Sequence, residues 1–473
     1  MKFIRSICLI LSFILLTSAF GFAAHATDFD AAVTSGCHSV DAKKPLMSDE
    51  KLLETSKAVF VYERNSDTLV YGYNADEKIY PSSMVKIMTA LVALDKGELS
   101  ETVEVTRNAL SYVAIGSVSA GLKNGELISL EDLLYCMLTA SANDASVVIA
   151  EHIGGSQERF VMLMNKKAEE LGCTGTNFTN AHGLHDENNY TTIRDVCKIL
   201  DAALDNETFK TMFQTEKHTV PATNKCEERQ LVTTNRMMTA AENDRYLDER
   251  VTGGKTGATD QAGRCLAVTA EQNGMELIAI VMGAKPTYEI DGIALKTHGS
   301  FEEMAVLLDH TFSQYEYRQV FYAGQAVSQY PVTNGDTNVV LAPVKTMSTV
   351  LPVNLDPNQL SWVYGDLTGS TQAPIAQGQN MSTLQVWYGS TCVAQTDLVA
   401  MNPVPLYSEQ AADDDAHKIP VEETSILSTV IWVIVGIVVF ALLAWFGVRW
   451  IRKTLQKKRR MRRRREQRRR GNA

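Results

Sequence analysis

An uncharged run of 23 residues near the C-terminus, from Ile426 to Val448, constrains this chain more than any other feature. About 20 apolar residues are enough for a helix to cross the hydrocarbon core of a bilayer. A buried core helix is the alternative, but the tail that follows carries 14 basic residues against one acidic residue. Because basic flanks stay on the cytoplasmic side, we predict a transmembrane helix at 426–448 and a cytoplasmic tail at 449–473.

The N-terminus has the three parts of a secretory signal. Lys2 and Arg5 precede a short apolar run, and small residues lead to Ala24-His25-Ala26. These parts are typical of a cleaved signal peptide, whereas a first transmembrane helix would need a longer apolar run. We predict a signal peptide over residues 1–26 and a single-pass protein of the cell membrane, with its body outside the cytoplasm.

The charge of the chain is unevenly distributed. The net charge is -10, but the tail contributes +13 and the signal peptide +2, which leaves about -25 on residues 27–448. An acidic exported body excludes nucleic acid as a partner. We attribute the basic tail to topology and to anionic lipid.

Seven cysteines remain after the signal peptide, and their spacing is irregular, without a C-x-x-C pair. This pattern excludes a disulfide-stapled scaffold and a cysteine-based zinc site. One or two bridges can form but cannot be assigned. Cys136 and Cys265 lie in apolar runs, so we expect them to be buried thiols.

Composition and the pattern of predicted elements divide the body into a leader at 27–50, a mixed domain at 51–315, a small β domain at 316–405 and an acidic stalk at 406–425. The mixed domain begins with a predicted hairpin at 58–73, continues with helices, and returns to strands between 251 and 282. Residues 205–250 have no clear pattern, and Ser300 to Glu303 form a predicted capping box for a last helix. Strands, helices and strands in this order predict an α+β fold: an antiparallel sheet plus a helical subdomain.

Ser83 and Lys86 lie at the predicted start of the helix that follows the hairpin. Three residues are about one turn, so the two side chains share a face. A serine hydroxyl needs a base to become a nucleophile. A lysine can be that base only when it is neutral, which requires burial or a nearby cation. Such a pair is more often a capping serine beside a surface lysine. A catalytic interpretation therefore needs further residues elsewhere in the chain.

Two further fragments supply them. Ser141 and Asn143 lie in a break between two predicted helices, and Lys255-Thr256-Gly257 lies on a predicted strand. S-x-x-K, S-x-N and K-T-G, in this order, form the motif set of β-lactamases and penicillin-binding proteins. With Gly155-Ser156-Gln157, His182-Gly183-Leu184 and Gly254 to Gly263, the sequence resembles the D-alanyl-D-alanine carboxypeptidases, which are low-molecular-weight penicillin-binding proteins.

The resemblance implies a β-lactamase/transpeptidase-like catalytic domain followed by a small β domain. It also implies a role for each motif residue. Ser83 would form the acyl-enzyme with Lys86 as its base, Ser141 would relay a proton to the leaving amine, and Asn143 would orient Lys86. The substrate-binding residues would be Lys255, Thr256, Gly257 and Ala258.

The implied substrate is the stem peptide of peptidoglycan. Lys255 and Thr256 would hold the terminal carboxylate of the substrate, and the backbone N–H groups of Ser83 and Ala258 would form the oxyanion hole. β-Lactam antibiotics would be inhibitors, and no cofactor or metal is expected. Relatives also place a basic residue after the last core strand, and none can be aligned in the lengthened segment from Ala284 to Gly299.

Three alternatives remain at this point. A class A β-lactamase would need a glutamate in the loop after the S-x-N motif, and that loop offers Glu187 without the E-x-x-L-N pattern. A zinc peptidase could use His182 and His185, but no motif supplies a third ligand. A catalytically weak membrane-tethered scaffold is the non-enzymatic alternative, and the intact motifs argue against it.

Overall fold

The computed structural model describes residue 40 and residues 44–47, 51–239, 245–285, 287–290, 293–296, 299–367 and 371–407. The predicted signal peptide, transmembrane helix and basic tail lie outside the described residues, as do nearly all of the stalk and most of the leader. Within the described part of the chain, no helix is long and apolar enough to span a bilayer.

The first half of the mixed domain is the predicted hairpin followed mainly by helices. Its elements in chain order are β1 (Ala58–Glu63), β2 (Thr68–Tyr73), α1 (Val85–Lys96), β3 (Thr102–Glu104), α2 (Arg107–Leu110), β4 (Leu127–Ser129), α3 (Leu130–Leu138), α4 (Asn143–Gly154), α5 (Gln157–Glu170), α6 (Ile193–Leu204) and α7 (Glu207–Phe213). Polar side chains cap five of these helices at the N-terminus, and each accepts a hydrogen bond from a backbone N–H of the first turn: Thr106, Ser129, Ser156, Thr192 and Asn206.

The second half is mostly strands. Its elements are β5 (Lys217–Val220), β6 (Arg229–Val232), β7 (Val251–Thr259), β8 (Gly263–Gln272), β9 (Met275–Ala284), β10 (Thr287–Ile290), β11 (Ile293–Lys296) and α8 (Ser300–Gln314). The central sheet has the order β2-β1-β9-β8-β7 and joins the two halves. All its neighbouring strands are antiparallel, as predicted, and β7 is an edge strand.

Both faces of this sheet are covered, which explains the continuous apolar runs of its inner strands. Successive side chains of a strand point to opposite faces. Phe60 and Ile280 therefore pack in the helical core, while Val59 and Val61 pack with Leu307 of α8 on the other face. Cys136 and Cys265 are buried free thiols, as expected.

Two local predictions were wrong. The segment at 205–250 contains α7 and a hairpin of β5 and β6, whose short strands depend on pairing with each other. The Ser300 capping box does not form, because α8 begins after Gly299 without a side-chain cap. The Glu303 carboxylate instead accepts hydrogen bonds from the backbone N–H groups of Thr55 (2.7 Å) and Ser56 (3.0 Å).

The region after α8 is all-β, as predicted. Its strands are β12 (Tyr315–Phe321), β13 (Ser328–Tyr330), β14 (Val339–Pro343), β15 (Met347–Pro352), β16 (Leu360–Tyr364), β17 (Asn380–Tyr388) and β18 (Thr391–Ala400). Five of them form a sheet of order β13-β14-β18-β17-β16, and β12 pairs with β15. Leu341, Val386 and Leu398 lie in its own core, separate from the two cores of the mixed domain.

Candidate active site

Ser83 lies in a single 3₁₀ turn, Ser82–Met84, that leads directly into α1. The sequence predicted a helix starting near this residue, and the structure adds the tight turn. The preceding residue, Ser82, has a φ of 49°, a left-handed conformation that costs a non-glycine residue about 1 kcal/mol or more. Such a conformation persists only where the surroundings hold it.

Two glycines hold this turn from opposite sides. A β-carbon on Gly183 would lie 1.9 Å from the Ser82 carbonyl oxygen, and one on Gly257 would lie 3.2 Å from both Ser82 Oγ and the Ser83 nitrogen. Gly183 has a φ of +86°, which also favours glycine. The loop at 182–190 and strand β7 can therefore approach the turn closely only because they carry glycine at these points.

Lys86 is completely buried one turn further along α1. Its Nζ lies 3.2 Å from Ser83 Oγ, 2.7 Å from Asn143 Oδ1 and 2.6 Å from the His182 carbonyl oxygen. Burial lowers the pKa of Lys86 well below its usual value, the nearby Lys255 ammonium lowers it further, and the Asp144 carboxylate opposes both. Lys86 thus has the geometry and the electrostatics of a base for Ser83.

Lys255 and Ser141 form the second half of the site. Lys255 is 1% exposed and donates hydrogen bonds to Ser141 Oγ (2.8 Å) and to the Thr256 carbonyl oxygen (3.0 Å). Burial lowers the pKa of Lys255 to about 7. Ser141 occupies the break between α3 and α4 with a φ of 60°, and Asn143 begins α4. Ser141 thereby points toward β7 while Asn143 binds Lys86.

The remaining predicted site residues follow Lys255 along β7. The Thr256 hydroxyl lies 2.5 Å from the Thr234 hydroxyl, and both side chains reach the surface. Gly257 lies against the turn that carries Ser83, and Ala258 is exposed. Because β7 is the edge strand, its outer backbone groups can pair with an extended peptide laid alongside it.

Sequence reasoning missed three participants. The His182 carbonyl oxygen is a hydrogen-bond acceptor for Lys86, and Thr234 stands beside Thr256. Asp144 anchors the loop beside the site by accepting hydrogen bonds from Ser119 Oγ (2.6 Å) and the Leu122 N–H (3.0 Å). Only Asp144 had a local signal, since it is an acidic residue in the first turn of a helix.

The histidines of the H-x-x-H segment have other contacts. His182 Nδ1 accepts a hydrogen bond from the Leu184 N–H at 3.1 Å, and burial, with a smaller effect of Lys86, lowers the His182 pKa to about 4. His185 packs edge-on against Tyr80, with ring centroids 4.6 Å apart. Among the described residues, no group of three or more His, Cys, Asp or Glu side chains is placed to hold a metal ion.

This geometry occurs in a chain with clear relatives. Residues 46–286 match the D-alanyl-D-alanine carboxypeptidase family, and residues 315–406 match the C-terminal domain of penicillin-binding protein 5. The D-alanyl-D-alanine carboxypeptidase DacF of Bacillus subtilis is 31% identical over 76% of this chain and 89% of its own. DacC of Escherichia coli is 30% identical over 82% of this chain and 90% of its own.

A solved structure has the same fold. Penicillin-binding protein 5 of Haemophilus influenzae superposes with a TM-score of 0.58 at 28% identity, over 74% of this chain and 98% of its own. The shared fold includes the transpeptidase-type catalytic domain and the all-β domain that follows it. On the family match and these relatives, the chain belongs to the D-alanyl-D-alanine carboxypeptidase family.

Proposed function

We propose that this protein is a serine D,D-carboxypeptidase that removes the terminal D-alanine from peptidoglycan stem peptides. The observation that carries the proposal is the position of Lys86, a fully buried lysine whose Nζ lies 3.2 Å from Ser83 Oγ. Within the described residues Lys86 has no carboxylate hydrogen-bond partner, and its pKa is lowered by burial and by Lys255. A lysine with no structural ion pair is available as a base.

In the acylation step, Lys86 takes the proton of Ser83 Oγ as the oxygen attacks the carbonyl carbon of the penultimate D-alanine. The backbone N–H groups of Ser83 and Ala258 bind the oxyanion, which contributes on the order of 10²–10³ in rate. The bond to the terminal D-alanine then breaks, and Ser141 relays the proton held by Lys86 to the leaving amine, so that both Lys86 and Ser141 return to their starting states. Water later hydrolyses the ester and releases the shortened peptide.

Lys255 and Thr256 hold the carboxylate of the terminal D-alanine. The Thr256 hydroxyl is partly exposed, and the Lys255 ammonium lies beneath it on the same strand. A carboxylate bound here would favour the charged form of Lys255. This contact explains why a peptidase with this site acts at a free C-terminus.

β-Lactams acylate the same serine in this proposal. A β-lactamase would also need a base placed to activate the water that hydrolyses the penicilloyl-enzyme. Glu187, the candidate from the sequence, is exposed and lines a different cavity from the Lys86 environment. We therefore expect the penicilloyl-enzyme on Ser83 to be long-lived.

The direct test is D-alanine release from a pentapeptide ending in D-Ala-D-Ala, with parallel labelling by fluorescent penicillin. Ser83→Ala should abolish both signals, and Ser111→Ala, an exposed serine after α2, should abolish neither. Retention of either signal by Ser83→Ala would overturn the proposed mechanism. Rapid turnover of penicillin by the wild-type protein would favour a β-lactamase.

The membrane topology is a further part of the proposal. The signal at 1–26, the apolar run at 426–448 and the basic tail support a catalytic domain outside the cytoplasm. In intact spheroplasts, added protease should digest the catalytic domain and spare an epitope at the C-terminus. Protection of the catalytic domain would contradict this topology.

A further inference from the structure

Thr234 is an exposed side chain beside the site that takes no part in the acylation step. Its two neighbours in the chain, Thr233 and Asn235, are buried, so Thr234 is the one side chain of the three that is open to solvent. Its hydroxyl lies 2.5 Å from the hydroxyl of Thr256 on β7. Among the described residues, the Thr256 hydroxyl has no other hydrogen-bond partner.

The backbone around Thr234 is held from two directions. The Thr234 N–H donates a hydrogen bond to the Thr139 carbonyl oxygen at 3.2 Å, two residues before Ser141 in the chain. The Thr233 N–H donates to the Glu216 carbonyl oxygen at 2.8 Å, directly before β5. Thr234 is therefore fixed between the end of α3 and the hairpin of β5 and β6.

Strand β7 admits this segment because Gly254 has no side chain. A β-carbon on Gly254 would lie 2.2 Å from Asn235 Nδ2, which is closer than two such atoms can approach. The buried Asn235 can therefore pack directly on the strand. This packing brings the neighbouring Thr234 to β7, where it meets Thr256.

The hydrogen bonds of Lys255 leave one of its donors unused. A lysine ammonium has three N–H donors. Two of them go to Ser141 Oγ and to the Thr256 carbonyl oxygen. In the proposed complex, the third goes to one oxygen of the substrate carboxylate. The other carboxylate oxygen then needs a donor of its own, and the Thr256 hydroxyl is the group beside it.

The two threonine hydroxyls have only one proton to spare for that oxygen. Each hydroxyl has one proton, and the hydrogen bond between Thr234 and Thr256 uses one of the two. If Thr256 donates to Thr234, Thr256 keeps no proton for the substrate. If Thr234 donates to Thr256, the Thr256 proton is free to point at the carboxylate, and two hydrogen bonds in a chain strengthen each other.

We propose that Thr234 is a positioning residue that donates its proton to Thr256 and thereby directs the Thr256 hydroxyl toward the terminal carboxylate of the substrate. Thr234 itself does not touch the substrate in this arrangement. A carboxylate favours this direction of the chain, because its oxygens can only accept hydrogen bonds. This inference rests on the proposed function, because it takes the place of the carboxylate from that proposal.

The test compares two peptides that differ only at the C-terminus. One ends in D-Ala-D-Ala, and the other ends in D-Ala-D-alaninamide, which has no carboxylate. The ratio of their kcat/KM values, with both products measured by mass spectrometry, reports recognition of the carboxylate. Thr234→Val keeps the shape of the side chain without the hydroxyl and should lower this ratio about fivefold.

Two single variants are the controls. Thr234→Ser keeps a hydroxyl at the same place and should keep the ratio close to that of the wild-type protein. Thr219→Val removes an exposed hydroxyl of β5 that hydrogen-bonds to the Gln230 side chain at 3.0 Å, away from the site. It should leave the kcat/KM values of both peptides unchanged.

A double variant distinguishes positioning from direct contact. Thr256→Val should lower the ratio about thirtyfold, because it removes a hydrogen bond to a charged group. Since Thr234 acts only through Thr256 in this proposal, adding Thr234→Val to Thr256→Val should lower the ratio no further. A further fivefold loss in the double variant would show that Thr234 binds the carboxylate itself, and would overturn the inference.

A purely structural role of Thr234 gives a different result. If the pair of threonines only stabilises packing on β7, Thr234→Val should lower both kcat/KM values alike and leave their ratio unchanged. That outcome, in a protein that releases D-alanine and is labelled on Ser83 by fluorescent penicillin, would overturn only the role of Thr234. Absence of both D-alanine release and labelling in the wild-type protein would overturn the proposed function.

Discussion

The buried amines of Lys86 and Lys255 lie close enough to affect each other's charge, and neither forms an ion pair with another described residue. Their hydrogen bonds go to Ser83, Asn143 and the His182 carbonyl for Lys86, and to Ser141 and the Thr256 carbonyl for Lys255. A positive charge on either buried lysine raises the free-energy cost of a positive charge on the other. Lys255 accordingly lowers the pKa of Lys86, which is what a lysine base requires.

A pH dependence follows from Lys255, whose pKa burial lowers to about 7. Above this pH the free enzyme loses the cation that we propose binds the substrate carboxylate, so kcat/KM for D-alanine release should fall as the pH rises through about 7. The value of kcat should decline less, because a bound carboxylate favours protonated Lys255.

Steady-state kinetics on both sides of neutrality check this prediction. Lys255→Gln is the control, since a side chain without a proton to lose should remove the alkaline decline together with much of the activity. A kcat/KM that stays constant with rising pH in the wild-type protein would show that Lys255 does not titrate in this range.

Asp144 has the opposite effect to Lys255 on the pKa of Lys86. Its carboxylate raises the pKa of Lys86, so Asp144→Asn should lower that pKa and move the acid limb of the kcat/KM profile to lower pH. The variant should also lose about 1–3 kcal/mol of stability, because Asp144 anchors Ser119, Ala120 and Leu122.

Asp195→Asn is the matched control for this variant. Asp195 is another buried carboxylate that anchors a loop, through Gly175 and Thr176, and it does not act on the pKa of Lys86. We expect a comparable loss of thermal stability without a shift of the acid limb. If both variants shift the limb equally, the effect is a general consequence of destabilisation.

Gly183→Ala should damage both stability and acylation. The new β-carbon would meet the Ser82 carbonyl oxygen at 1.9 Å, and the φ of +86° adds strain, so we expect a loss of about 3 kcal/mol or more. Because Ser82 precedes the nucleophile, labelling by fluorescent penicillin should also slow in protein that remains folded.

Gly172→Ala is the control for Gly183→Ala, because it introduces backbone strain without a close contact to the added β-carbon. Gly172 has a φ of +67°, but its β-carbon would come no closer than 3.7 Å, to the flexible end of Lys198. This variant should lose only about 1 kcal/mol and keep its penicillin labelling rate. Equal melting temperatures for the two variants would contradict the proposed clamp on the nucleophile turn.

Sequence patterns were enough to predict most of the architecture and the motif residues. The hairpin at 58–73, the buried helix α3 and the strands from 251 to 284 could be predicted, because their apolar residues repeat with the period of their structure. The two local failures have different causes. The short strands β5 and β6 form by pairing with each other, whereas the start of α8 depends on a partner distant in the chain, Ser56 for Glu303.

The effects of the motif residues on one another depend on how the folded chain packs around them. Ser83 and Lys86 are neighbours in any helix, but the pKa of Lys86 depends on burial and on Lys255, 169 positions further along the chain. The path of the backbone brings the His182 carbonyl and the Thr234 hydroxyl into the site, and no local sequence pattern predicts that path. A spacing motif specifies which groups share a helix turn, whereas desolvation and long-range charge depend on everything packed around them.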